Sequence, residues 1–595
     1  MNDVKNTTKV PHLPTDIPFN GEQKQWLGGF LAGLHTRLLV KEEGVNNQQT
    51  ATAVALKPLT IIYGSQTGNA QAVADDAQEM AKEHGLTVNV IDMDDANLQD
   101  LAKCERLLVV TSTYGEGEMP DNAQALWDDI SSDGAPSFEN SYYSVLALGD
   151  TNYDGFCTAG ILWDERLQAL GAQRIADRVD CDVDFEEPAN QWINEALATI
   201  AQKGSSASGE QVSASQKKPV KSKFNRQNPL SAELITKKPL TQPNSSKETF
   251  HYEFSLEESG ETYEAGDALN VVSTNRETLV NDLLALFNTS GEIVEPYKGE
   301  SLTLKDIFTN ILEIRTPSKD LIAELALRSG DEKLTSLVND TNKEALNDFL
   351  WGKDTTDLLR LYPQAQFSVA EFIALSKPLA ARAYSISSSI KHHKQQVHLT
   401  VANVRYKQND REHHGVCSTF LADKAVVGDK INCFFSPNKS FSVPDNSNAP
   451  MIMVGPGTGI APFRAFLEER VATKAEGDNW LFFGDRNSET DFLYQEEIET
   501  MQSTGLLTRL DLAFSRDQSE KIYVQDRMLE NAKELFAWLE RGAYFFICGD
   551  AYRMAKDVDK ALHKIIEQQG GLSSQASQEY VNQLKKQKRY VRDVY

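Results

Sequence analysis

What this sequence lacks narrows its class before any motif is found. Its 595 residues hold six cysteines, Cys104, Cys157, Cys181, Cys417, Cys433 and Cys548. No two are spaced as C-x-x-C, which disfavours metal knuckles and thioredoxin-type pairs. Their scatter through a long chain fits a reducing compartment. No apolar run reaches the roughly 20 residues of a membrane-spanning helix. The most apolar early stretch, residues 26–34, is too short, and no secretory h-region follows the first six residues. A soluble, cytoplasmic protein is the expectation. Cations are in deficit: a net charge of −26 argues against nucleic acid as the main partner, because phosphates would be repelled. It suits docking to a basic protein surface, or solubility alone. Neither the Gly-Lys-Ser/Thr of a Walker loop nor a G-x-G-x-x-G fingerprint is present at the glycine-rich stretches.

What is present begins at residue 59. Leu59–Tyr63 is an apolar run, followed by Gly64-Ser65-Gln66-Thr67-Gly68-Asn69-Ala70 and a helical pattern. A strand, a loop of hydroxyls and glycines, and a helix start form a phosphate-binding arrangement. Upstream, residues 1–56 read as a leader. Leu27, Phe30, Leu31, Leu34 and Leu38 make one apolar stripe at helical spacing, for packing on its own chain, self-association or partner docking.

Residues 57–202 alternate strands with helical segments. The expected strands are Leu59–Tyr63, Thr87–Ile91, Arg106–Ser112, Tyr143–Leu148 and Gln173–Ala176. That alternation implies a parallel sheet covered by helices on both faces, with ligands beyond the carboxyl ends of the strands. The loops there carry Ser112, Thr113, Tyr114, Gly115, Glu116 and Gly117, and then Leu148, Gly149, Asp150, Tyr153, Phe156 and Cys157. Two tyrosines and a phosphate loop suit a planar ring bearing a monophosphate. Glu116, Glu118, Asp121, Asp150, Asp154, Asp180, Asp184, Glu186 and Glu187 crowd the same rim, either to steer a basic partner or as a solvated face. Residues 203–228 are mostly small and polar, a flexible linker.

Residues 229–446 mix expected strands (His251–Leu256, Ala268–Val272, Arg382–Ile386, Val397–Val404) with a charged helical stretch over about 276–376. An antiparallel barrel split by a helical insertion accounts for this. Arg382-Ala383-Tyr384-Ser385 pairs an anion clamp with a stacking ring on one strand face. Gly415-Val416-Cys417-Ser418 opens a helix that can cap a diphosphate. Residues 447–595 return to strand–helix alternation. Met451–Val454 runs into Gly455-Pro456-Gly457-Thr458-Gly459, and further strands are expected at Asn479–Gly484, Arg509–Phe514 and Ala543–Cys548. Ser515, Arg516, Lys521, Ile522, Tyr523, Val524 and Gln525 place cations and hydroxyls at a strand end, suited to a 2′-phosphate.

The motifs S-Q-T-G-N, S-T-Y-G-E-G-E, L-G-D-x-x-Y, R-x-Y-S and G-P-G-T-G, in this order, resemble the diflavin reductases. The resemblance implies a multidomain α/β and β protein. A flavodoxin-like FMN domain is followed by an antiparallel β-barrel FAD domain with its helical insertion, then a ferredoxin–NADP reductase-like nucleotide domain. It places the FMN phosphate on Ser65–Asn69 and the FMN ring between Tyr114 and Tyr153, near Asp182. FAD would lie on Arg382–Ser385, Thr400, Val401, Ala402, Tyr406 and Gly415–Ser418. NADPH would lie on Gly457, Thr458, Ser515, Arg516, Lys521–Gln525 and Asp557. The resemblance also puts Ser385 and Cys548 beside the nicotinamide, with Tyr595 covering the FAD ring. Within the family, the Arg-Asp-Val-Tyr end resembles flavoprotein subunits that serve a sulfite reductase haemoprotein. That implies electrons passing from NADPH to FAD to FMN to such a partner, where sulfite becomes sulfide. A stand-alone NADPH diflavin reductase for another haem protein, or a non-catalytic flavin carrier, stays open at this point. No metal site is expected on this chain.

The preference for NADPH is testable. Replacing Arg516 and Lys521 together by alanine is expected to raise the NADPH concentration needed for half-maximal rate by about tenfold or more and to spare NADH. An unchanged NADPH/NADH ratio in steady-state kinetics would remove the assignment.

Overall fold

The computed structural model describes residues 57–66, 68–115, 117–151, 155–204, 222–257, 259–339, 344–408, 410–551 and 553–595. The apolar stripe of residues 1–56 and most of the 203–228 linker lie outside them. Among the described residues no helix is long and apolar enough to cross a membrane.

The first sheet is parallel, in the order β2 (Leu86–Asp92), β1 (Lys57–Gly64), β3 (Arg106–Ser112), β4 (Tyr142–Leu148), β5 (Gln173–Arg174), with β6 (Val179–Cys181) also on β4. The expected fifth strand is thus two short ones. A parallel strand in mid-sheet is covered on both faces, so its side chains form a continuous apolar run. Leu107, Leu108, Val109 and Val110 of β3 are fully buried. The helix Asn69–Ala81 packs on one face through Ala70, Val73, Ala74, Ala77 and Ala81, a stripe of small residues that keeps its axis close to the sheet. On the other face Trp163 is completely buried against Val145 and Ala159.

The second sheet is antiparallel, in the order β12 (Arg382–Ser385), β9 (Ala268–Val271), β16 (Lys430–Ser436), β7 (Leu230–Pro239), β8 (Thr249–Ser255), β13 (Gln396–Ala402). Its two edges meet at a single bridge, Ile386 with Leu399. Strands β7 and β16 are absent from the sequence expectations. Between β9 and β12 lies the expected helical stretch, with a core of its own around Phe308, Leu325 and Phe372. It also contains a hairpin, β10 (Val294–Tyr297) with β11 (Glu300–Thr303). A second hairpin, β14 (Arg405–Gln408) with β15 (Arg411–His414), follows β13.

The third sheet is parallel, in the order β19 (Arg509–Phe514), β18 (Asn479–Asp485), β17 (Met451–Val454), β20 (Tyr544–Gly549), β21 (Tyr590–Val594). All four residues of β17 are fully buried. The last strand, β21, is the element that sequence reading treated as a tail. It pairs along β20 from Phe545–Tyr590 to Gly549–Val594.

One glycine shows how tightly the first layer is built. A Cβ on Gly160 would collide with Ala147 Cβ on β4. Gly160→Val is therefore expected to destabilise the protein by about 1–3 kcal/mol through overpacking, seen as earlier thermal unfolding by circular dichroism. An unmoved transition would show that the helix can shift aside.

Candidate functional site

The phosphate-type loop leaves β1 at Gly64 and enters the helix Asn69–Ala81 through Gly68, whose φ of 85° favours glycine. Its first residues are clamped. Ser65 N–H donates to Asn122 Oδ1 at 2.8 Å, and Ala70 N–H donates to Ser65 Oγ at 3.2 Å. Gln66 N–H reaches Ser112 Oγ at 3.3 Å. Thr67 is outside the described residues. Gly68 at the N-cap has no side chain to offer, so apart from the Ala70 N–H held by Ser65 the first turn is uncapped at the positive end of the helix dipole. This cradle fits a phosphate.

The second loop is a tight turn. Tyr114 and Glu118 exchange both backbone hydrogen bonds, at 3.0 and 2.8 Å, and Gly115 and Gly117 make the reversal. Thr113 Oγ1 accepts from Ala159 N–H at 3.1 Å. The third loop is held by Gly149 N–H on Cys181 O at 2.9 Å. A side chain on Gly149 would press on Phe156 and Cys157, both 2.9 Å or so away. Cys157 is buried, which pushes its thiol up. Asp182 accepts from Thr151 N–H at 3.1 Å and Thr151 Oγ1 at 2.6 Å. Burial would raise that carboxyl, but these hydrogen bonds, Val183 N–H and Lys377 hold it below its usual value. Glu116 and Tyr153 are outside the described residues.

The strand tetrad sits on β12. Arg382 Nη2 donates to Glu313 Oε2 at 2.7 Å, so the expected anion clamp is already engaged by a buried carboxylate. Ala383 is exposed. Tyr384 packs on the sheet core beside Cys417, which joins the tetrad to Gly415–Ser418. Gly415 N–H donates to Val404 O at 2.8 Å, and Val404 N–H donates to Ser418 Oγ at 3.3 Å. Val416 opens the short helix. Val401 lies in the sheet core and Ala402 ends β13. Thr400 departs from the set: its hydroxyl bonds Tyr494 OH at 2.6 Å, on the face toward the third sheet. Tyr406 stacks on His413, with centroids 5.0 Å apart, and accepts from Arg315 at 3.2 Å.

In the third sheet the Gly455–Gly459 turn enters the helix Ile460–Thr473, which also lacks a side-chain cap. A Cβ on Gly459 would strike Cys548 O, so the turn packs backbone to backbone on β20. Space opens at Gly457, whose Cβ would lie 3.9 Å from Lys247 Nζ. Lys247, from the β7–β8 connection, pairs with the buried Asp485 at 2.5 and 2.7 Å and was missed in sequence reading. Ser515 N–H and Arg516 N–H tie the β19 end to Asp485 and Arg486 at 2.9 and 2.8 Å. Arg516, Lys521 and Tyr523 are exposed there. Ile522 and Val524 pack into the core, and Gln525 is half-buried. Asp557 sits in the first turn of the helix Met554–Gly570.

The most informative cluster joins three distant segments. Ser385 Oγ donates to Asp593 Oδ2 at 2.6 Å, and Cys548 Sγ lies 3.7 Å from the same oxygen. Burial pushes Asp593 up, partly offset by those two hydrogen bonds. Tyr595 OH meets Thr458 Oγ1 at 2.8 Å. Asp593 was quoted in sequence reading without a role. Only the register of β21, which sets Asp593 opposite Cys548, gives it one.

A cavity of about 1290 Å³ lies between the first-layer loops, the Ala383 edge of the second sheet and the end of β21. Its walls include Gly68, Ser112, Tyr114, Gly149 and Phe156 from the first layer, Ala383 and Phe435 from the second, and Tyr595. Its size and the uncapped helix starts fit phosphate-bearing planar cofactors.

Three family models match the chain in order: flavodoxin over residues 61–192, FAD binding domain over 222–420, and oxidoreductase NAD-binding domain over 453–560. The fold and sites thus define a flavoprotein with two flavin modules and a nicotinamide-nucleotide module, using FMN, FAD and NADPH. Among curated relatives, the sulfite reductase [NADPH] flavoprotein alpha-component of Bacillus subtilis (strain 168) is 42% identical over 603 residues, covering 100% of this chain and 99% of the relative. That of Vibrio cholerae (strain El Tor Inaba N16961) is 42% identical, covering 98% and 94%. That of Shewanella sp. (strain MR-4) is 41% identical, covering 99% and 97%. The chain belongs to the family of NADPH-dependent sulfite reductase flavoprotein alpha-components.

Asp593→Asn keeps the size and turns one acceptor into a donor. Flavin reduction by NADPH, followed by stopped-flow absorbance, is expected to slow by about 100-fold. In the unaltered protein the rate should fall as pH drops through the raised Asp593 titration, and the variant should lose that step. An unchanged pH profile would remove Asp593 from the site.

Proposed function

We propose that this chain is the electron-supplying flavoprotein of an assimilatory sulfite reductase. When bound, NADPH supplies electrons in pairs and the two flavins relay them, through FAD and then FMN, for delivery one at a time. The observation that carries this reading is the single cavity shared by the Tyr114 and Gly149 loops, Ala383 and Tyr595.

The chain's own residues act by binding and orienting. Ser65–Ala70 hold the FMN phosphate, and the Tyr114 and Gly149 loops flank its ring. Arg382–Ser385 and Gly415–Ser418 hold FAD. Gly457, Thr458 and Lys247 receive the nucleotide diphosphate, and Arg516 with Lys521 receives the 2′-phosphate. Asp593 keeps the Ser385 hydroxyl and the Cys548 thiol in fixed orientations beside the nicotinamide position. Tyr595 covers that position and moves aside for it.

The boundaries 57–202, 203–228, 229–446 and 447–595 divide the work, and the Ile386–Leu399 contact supports a closed barrel in the third of these spans. The partner is a sulfite reductase haemoprotein, met through the acidic rim around Glu118, Asp150 and Asp180. Residues 1–56 contribute self-association or docking, and the complex works in the cytoplasm.

The test is NADPH oxidation on adding sulfite, with and without a sulfite reductase haemoprotein subunit, once NADPH has been shown to bleach the flavins. Sulfide formed only with both proteins is the expected result. Flavins that bleach without passing electrons to that partner would reject the sulfite assignment and leave a stand-alone reductase.

A further inference from the structure

Successive residues of β21 point to opposite sides of the sheet. Asp593 faces Ser385 and Cys548. Its neighbour Arg592 faces the first layer, where it forms a two-pronged ion pair with Asp121. Nη2 contacts one carboxylate oxygen, and Nε lies 3.2 Å from the other. Asp121 begins the helix Asp121–Ser131, directly after the Tyr114 loop. It also grips Gln66 twice: Asp121 N–H donates to Gln66 Oε1 at 3.0 Å, and Gln66 Nε2 donates to Asp121 Oδ2 at 3.2 Å. A continuous polar chain therefore runs from the last strand to the phosphate loop. Two residues beyond Arg592, Tyr114 OH donates to Val594 O at 3.4 Å.

Other ion pairs also tie the first layer to the rest of the chain, but they differ in kind. Lys588 and Asp95 stand 3.4 Å apart with 47% and 65% of their side chains exposed. Lys377 and Asp182 are 25% and 27% exposed but meet through one ammonium nitrogen only, 3.7 Å from the carboxylate. Exposed pairs contribute little, and a lone ammonium contact lacks the fork geometry of arginine on a carboxylate. Arg592 and Asp121 are 23% and 30% exposed and meet fork to fork, the stronger arrangement. Burial would lower the Arg592 pKa, but the Asp121 charge more than reverses this and keeps the guanidinium charged.

We propose that Arg592 is a positioning residue for electron transfer between the two flavin sites. Through Asp121 and Gln66 it holds the FMN-binding loops against the cavity wall formed by Ala383, Phe435 and Tyr595. The inference rests on the reading of that cavity as the place where both flavins meet. Electron tunnelling weakens steeply with distance, so a contact that fixes the gap sets the internal transfer rate. The same contact must break before the loops can turn toward an outside acceptor. The strand that orients the Ser385–Cys548 site therefore also sets the placing of the FMN loops.

The experiment compares the full chain with Arg592→Gln, Arg592→Lys and Lys588→Gln by small-angle X-ray scattering at low and high salt. Stopped-flow reduction of the flavin-loaded proteins by NADPH runs alongside. Arg592→Gln is expected to enlarge the radius of gyration at low salt, as raised salt does for the unaltered protein. Arg592→Lys should recover at least part of the compaction, and Lys588→Gln should resemble the unaltered protein. FMN reduction in Arg592→Gln should slow by about tenfold while FAD reduction changes by less than about twofold. Equal compaction of Arg592→Gln and the unaltered protein would overturn the proposal. So would equal slowing of both flavins, no recovery by lysine, or an equal effect of Lys588→Gln. The scattering needs neither flavin nor partner. If NADPH fails to reduce the flavins at all, the electron-transfer reading fails while scattering still decides the contact.

Discussion

The pairing of β21 with β20 is the constraint on which the functional geometry depends. Five residues at the end of the chain add a parallel strand to the third sheet, anchored by Tyr590 in its core. That register sets Asp593 beside Cys548 and within reach of Ser385 on another sheet. It also sends Arg592 to Asp121 and leaves Tyr595 in the cavity wall. A one-residue slip would exchange every side chain between faces and dissolve all three relationships at once. The strand Tyr590–Val594 is therefore an integral part of the third sheet and of its contacts with the other two.

The carboxylates of the first layer show how electrostatics and architecture combine. Asp121, Asp182 and Asp95 each face a cation contributed from beyond the first sheet: Arg592, Lys377 and Lys588. The negative charge of the first layer is thus partly neutralised within the chain itself. An external basic surface would compete for the same carboxylates, and salt would weaken both kinds of contact. The third sheet follows a related logic. Lys247 crosses from the second sheet to the buried Asp485, so the Gly455–Gly459 turn lies beside a formed charge pair.

Much of this was legible in the chain. Central parallel strands such as β1, β3 and β17 announce themselves as unbroken apolar runs, because both of their faces are covered. The loops after them are recognisable because phosphate binding needs small residues and free N–H groups at a helix start. The antiparallel sheet was harder. β7 and β16 mix charged and apolar residues, and β16 pairs with partners about 160 and 200 residues away by number, as Cys433 does with Val271 and Leu230. The β10–β11 hairpin was hidden inside a charged, helix-rich stretch for the same reason: its short strands leave no periodic pattern long enough to read.

Sequence alone determined the order of the three modules and where the glycine-rich loops after β1, β3 and β17 fall, because each loop is a local arrangement of a few consecutive residues. Tertiary structure decided which distant groups meet. Asp593, Ser385 and Cys548 are separated by up to 208 positions, and Arg592 and Asp121 by 471. No local pattern encodes such contacts, since they depend on strand register and on how one sheet packs against another. The physical reason is range: turn and helix hydrogen bonds and side-chain periodicity act over a few residues, whereas the site is assembled by strand pairing between distant segments and by the packing of whole layers.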